Sequence, residues 1–170
     1  DPNQFAQAIG VVVNDRFPKT VWANDILDQV NVAARASRNA LLLNDPSQVN
    51  KELERIAEAR KVVSERFAQL QKTITSEDGK KMLNDTLVLR QSFVADSDKL
   101  LTLIRAGKAD EATSHLLGTL RKSQTEYMDS VKKLIVYQSE LMEKAGKGAE
   151  SVASEGKALI VALALAAFAT

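Results

Sequence analysis

Two pairs of arginines carry most of the chemistry this sequence offers. In VAARASRNALLLND (32–45), Arg35 and Arg38 lie three residues apart, on one helical face and shortly before the Asp45-Pro46 break. Arg60 and Arg90 stand in apolar runs at places where leucine is expected. A guanidinium is a rigid fork of N–H donors that can hold a carboxylate through two parallel hydrogen bonds. Arginine is seldom buried without a partner, and an uncompensated buried charge is costly. Each pair is therefore met by solvent, by an internal acid or by an external anion. For Arg60 and Arg90, Asp25 and Asp28 are the internal candidates.

Other chemistries are excluded or unsupported. The chain has no cysteine, which removes disulfides, thiol catalysis and thiolate metal sites. A single histidine, His115, makes a zinc site or a histidine-based triad improbable, and it reads as a surface or tip residue. The run GKGAESVASEGKA (146–158) lacks the spacing of a phosphate-binding loop, with Ala158 where a hydroxyl residue is needed. No nucleophile–base spacing argues for an enzyme, and no cofactor or metal is implied. Lys and Arg total 23 against 22 for Asp and Glu, so nothing points to nucleic acid.

The elements that would position the arginines are helical. Few glycines and prolines, with many Ala, Leu, Lys, Glu and Gln residues, favour helix. Breaks fall at Asp45-Pro46-Ser47, TSEDGKK (75–81) and AGKAD (106–110). They delimit four periodic stretches, about 4–44, 47–74, 79–106 and 109 onward, with Pro18 placed to kink the first. Short turns make neighbours antiparallel. Apolar stripes follow with spacings of three and four. The second runs through Ile56, Arg60, Val63 and Phe67, and the third through Leu83, Leu87, Arg90, Val94 and Ser97. The fourth runs through Leu116, Thr119, Ser123 and Tyr127; Trp22 and Tyr137 read as packing residues. The fold class is all-α, an antiparallel up-down-up-down four-helix bundle with long first and last helices.

Counting heights from the turns brings several polar residues to one level. At about 1.5 Å per residue, Arg60, Arg90, Ser97, Ser123 and Tyr127 fall within roughly 10–12 Å along the axis, with Thr119 one turn above. Two cations and several hydroxyls inside an apolar seam suit a small di- or tricarboxylate of malate or citrate type. A cavity between helices is a usual location for such a site. Arg35 and Arg38 form a second candidate, an anion site at a subunit interface, against plain solvation of both side chains.

The ends read differently from the middle. ALIVALALAAFA (158–169) is a run of apolar residues with no polar face. It is shorter than the roughly 20 residues of a membrane span, yet a buried core helix usually keeps one polar face. The expectation is a sensor domain over 1–157 and the start of a second transmembrane helix over 158–170. Asp1-Pro2 carries neither Met nor a signal segment, so a preceding segment is expected as well.

The sequence also resembles the periplasmic four-helix-bundle sensor domain of methyl-accepting chemotaxis proteins. The likeness rests on NDRFPKTVWANDILDQVNVAARASRNALL (14–42), the turn AGKADEA (106–112), and YQSELM (137–142) leading toward the apolar end. It implies a bacterial inner-membrane receptor, with this segment in the periplasm, the first and last helices continuing through the bilayer, and a homodimeric sensor. In aspartate-sensing members, ligand arginines sit on the first helix near the tip, at the dimer interface. Ser37-Arg38 matches the serine–arginine step of that pattern. Leu42 and Ala33 stand where its other arginines fall, and Arg35 has no counterpart.

A sensor of small carboxylates that signals across the membrane as a homo-oligomer is the leading expectation. The same scaffold sensing another solute or a periplasmic binding protein is the alternative, and a structural membrane-tethered bundle is a third. Two seam arginines and a tyrosine at one level speak for the sensor, because a spacer has no use for them.

Overall fold

The computed structural model describes the backbone of residues 2–168 and the side chains of residues 2–162. Helix α1 (Pro2–Val11) passes through a π-helical turn (Val12–Arg16) into α2 (Phe17–Leu42). Then come α3 (Pro46–Thr73), α4 (Glu77–Arg105) and the short α5 (Ala109–His115). A second π-helical turn (Leu116–Leu120) leads into α6 (Arg121–Phe168). The described residues contain no strand.

Each boundary has a local cause. Asp45 caps α3 by accepting a hydrogen bond from the Ser47 amide, and Pro46 fills the first helical position, where a missing N–H costs nothing. Ser76 caps α4 by accepting from the Gly79 amide, with Glu77 and Asp78 in the first turn and Arg105 in the last, as the helix dipole favours. At the end of α4 the Lys108 amide donates to Leu103 O and the Gly107 amide to Ile104 O. This closure needs a left-handed residue, and Gly107 supplies it with φ 70°.

The chain divides into two compact units. One, Trp22–Ile135, is the four-helix bundle. Cross-helix pairs establish its antiparallel order. Arg66 of α3 bonds Asp25 of α2, Arg60 of α3 bonds Asp98 of α4, and Thr86 of α4 shares a hydrogen bond with Ser130 of α6. Its core is built from Ile26, Val30, Phe67, Leu70, Phe93, Leu100, Tyr127 and Leu134 among others. A smaller cluster of Ala33, Ala36, Ile56, Ala59 and Leu101 draws α2, α3 and α4 together through small side chains.

The other unit takes the chain up to Val21 and again from Val136. Here Pro18 leaves the helix unbroken, and the π-turn lies just ahead of it. Proline has no N–H to return to the fourth carbonyl back, and the wider turn, in which the Phe17 amide reaches Val12 O, takes up the mismatch. Lys19 is buried, with Nζ 2.6 Å from Asp15 Oδ1. No helix among the described residues is long and apolar enough to cross a membrane. Within the apolar end, Leu159, Ile160 and Val161 are 60%, 67% and 58% exposed. The side chains of 163–168, and residues 169 and 170 entirely, lie outside the described residues.

Candidate functional site

The face that α4 turns inward differs from the expected stripe. Thr86, Phe93, Ser97 and Leu100 are buried, while Leu87, Arg90 and Val94 flank that face half-buried. Arg90 therefore sits at the edge of the seam with its guanidinium free to turn toward α3. Its Nη2 donates to Ser64 Oγ at 2.7 Å, and its central carbon lies 5.1 Å from the centroid of the Phe67 ring. Arg90 forms no ion pair among the described residues.

Arg60 is matched from within. Its Nη1 donates to Asp98 Oδ1 at 2.6 Å and its Nη2 to Ser97 Oγ at 2.8 Å. The internal-acid alternative is thus realised for Arg60, but with a partner on α4. Asp25 is engaged elsewhere, with Arg66 Nε at 2.8 Å, and Asp28 is exposed.

Tyr127 is the centre of the arrangement. It is 1% exposed, with its ring 5.3 Å from Phe93 and 6.5 Å from Phe67, centroid to centroid. Its hydroxyl is buried with no hydrogen-bond partner. Burial pushes its pKa well above the ordinary phenol value, and the nearby Arg90 charge opposes that shift only in part. The hydroxyl is a neutral donor at physiological pH.

Arg60, Arg90, Ser97 and Tyr127 line one cavity of about 20 Å³ together with Gln29, Val30 and Phe93. Four of the six residues expected at the ligand site are thus brought together. Ser123 is buried but donates to its own Leu120 carbonyl at 3.2 Å, and it does not line this cavity. Thr119 is exposed and lines a separate open groove with Lys99, Glu111 and Ser114. The second π-turn is the reason: one extra residue per turn carries the inward face from His115 to Leu120, skipping Thr119.

The same turn corrects the surface part of the reading of His115 as a surface or tip residue. It is 8% exposed, and its Nε2 lies 2.7 Å from Asp96 O. A carbonyl can only accept, so the proton is on Nε2. His115 ties α5 to α4.

Arg35 and Arg38 are both exposed on α2, while Ala34, Ala36 and Ser37 beside them are buried. Ser37 Oγ donates to Ala33 O at 2.8 Å, so it is not held ready for a ligand. Two residues escaped the sequence reading: Gln29, whose only signal was its place beside Val30 on the inward face of α2, and Asp98, one residue after Ser97. No group of His, Cys, Asp and Glu side chains able to hold a metal occurs among the described residues.

A search of curated proteins finds no match to the chain. A family model does match, over residues 3–153, and its description is a four helix bundle sensory module for signal transduction. The matched span includes all four arms of the bundle and every residue lining the cavity. The chain belongs to this family, the four-helix-bundle sensory modules of methyl-accepting chemotaxis proteins.

Proposed function

We propose that this sensory module recognises a small di- or tricarboxylate of malate or citrate type, with Arg90 and Arg60 taking carboxylates and Ser97 and Tyr127 supplying hydroxyls. One observation carries the reading: Tyr127, whose buried hydroxyl has no partner, lines one cavity together with Arg60 and Arg90. An orphaned buried donor is normally a defect that folding avoids, and an incoming carboxylate oxygen is the partner it lacks. A hydrogen bond to a charged group contributes roughly 1.5–3 kcal/mol.

At about 20 Å³ the cavity accepts one water-sized group. A whole acid requires the α3–α4 seam to part. That requirement suits a sensor, because only a ligand binding two arrangements unequally can shift the balance between them.

The exposed Leu159, Ile160 and Val161 support the further reading that the last helix approaches a membrane, since clustered exposed apolar side chains mark a nonpolar neighbour. In that reading the bundle is periplasmic, works as a homo-oligomer, and presents Arg35 and Arg38 on α2 at the subunit face.

Calorimetric titration with citrate and malate tests the site. Arg90→Ala should weaken binding tenfold or more, and Arg38→Ala should leave it within twofold. The reverse pattern would move the ligand to the subunit face. Absence of heat from either acid with the unaltered chain would end the carboxylate reading.

A further inference from the structure

We propose that Asp98 is a built-in competitor for the ligand: it occupies Arg60 in place of a carboxylate of the incoming acid, and binding exchanges one for the other. The inference rests on the carboxylate reading above and adds a residue that sets the affinity of that site.

Three features of the pair argue for it. First, the contact is made at one point. Asp98 takes only Arg60 Nη1, at 2.6 Å, while Nη2 turns to Ser97 Oγ at 2.8 Å. A free acid can present both carboxylate oxygens to the same fork, the stronger geometry. Second, Asp98 makes no other side-chain bond among the described residues, so releasing it strands no further group. Third, the two partners are unequally exposed, 30% for the Arg60 side chain and 58% for Asp98. The displaced carboxylate is already largely hydrated, and an exposed pair of this kind is weak.

Its position fits the role. Asp98 lines an open groove with Gln71, Gln91, Arg90 and Val94. Arg90 and Val94 also line the interior cavity. Asp98 thus borders the groove and holds Arg60 of the cavity, and a groove that shares Arg90 and Val94 with the cavity is the side from which an acid would arrive. While it holds Arg60, its charge also repels a second carboxylate near that mouth.

The test is calorimetry of citrate and malate with the whole chain, its Asp98→Asn variant and an Asp25→Asn control. Asp25 is a comparable acid in the same bundle, paired with Arg66. Removing the competitor should tighten binding roughly two- to fivefold in Asp98→Asn, and Asp25→Asn should stay within twofold of the unaltered chain. Asp98→Ala, a substitution that favours helix at an exposed position, should repeat the gain. If the unaltered chain binds and both Asp98 variants bind no tighter, Asp98 is no competitor, although the carboxylate reading stands. An equal gain in Asp25→Asn would reduce the effect to net charge and overturn the inference. No binding by any of the chains overturns the carboxylate reading and the competitor with it.

Discussion

The Arg90 guanidinium lies over the face of Phe67, 5.1 Å from the ring centroid, and reaches across to Ser64 on the same helix as that ring. A cation over an aromatic face gains a modest attraction at a part-exposed site. Nothing negative is left behind when it is removed. Arg90→Ala should therefore cost less than about 1.5 kcal/mol in urea unfolding without added acid. A loss above 3 kcal/mol would mark Arg90 as structural and weaken its role in binding.

Tyr127→Phe should behave in the opposite sense for stability and for binding. The hydroxyl is buried without a partner, and such a group costs about 1–3 kcal/mol. Its removal should raise unfolding stability by about 1 kcal/mol while weakening citrate or malate binding severalfold. Destabilisation beyond about 0.5 kcal/mol would mean that the hydroxyl already has a partner within the fold.

The same residue sets an alkaline limit. Burial raises the folded-state pKa of Tyr127 above the ordinary 10.0. From about pH 10 the unfolded chain gives up this proton and the folded chain keeps it, so stability falls as pH rises. Below about pH 10 this proton leaves stability unchanged, and above it stability falls by about 1.4 kcal/mol per pH unit once the unfolded phenol is ionised. Denaturant melts at pH 9 and pH 11 should show a steeper fall for the unaltered chain than for Tyr127→Phe. Equal slopes would contradict the assigned burial effect.

Ending the chain at Gly156 should leave the melting temperature of the bundle within about 2 °C, because the exposed Leu159, Ile160 and Val161 contribute nothing to its core. The shortened chain should also be more soluble and bind lipid vesicles less. Loss of the cooperative thermal transition would place the segment in the core and remove the membrane reading.

Gly107→Ala isolates a backbone cost. The residue has φ +70°, and an added Cβ would meet nothing within 4 Å. Only the left-handed conformation is penalised, by roughly 1–2 kcal/mol. A Gly118→Ala control, equally unobstructed and without the positive φ, should be neutral or stabilising. Two substitutions of equal effect would show that the turn tolerates a side chain.

The four arms, their antiparallel order and their ends were legible from the sequence because each rests on local chemistry. Asp45-Pro46 starts a helix, Ser76 caps one and Gly107 closes one, whatever the rest of the chain does. Counting residues from those turns also brought Arg60, Arg90, Ser97 and Tyr127 to one level, since rise per residue is nearly constant in a helix. Rotation about each axis is another matter. A one-residue shift turns a helix by about 100°, so the choice between Arg90 and Phe93 as the inward residue of α4 depends on packing against three neighbours. The π-turn at Leu116–Leu120, which buries His115 and turns Thr119 outward, has no sequence signal beyond one glycine, Gly118. Partner choice is equally tertiary. Arg60 and Asp98 are 38 residues apart, and only the packed helices decide that this acid, rather than Asp25, meets that guanidinium.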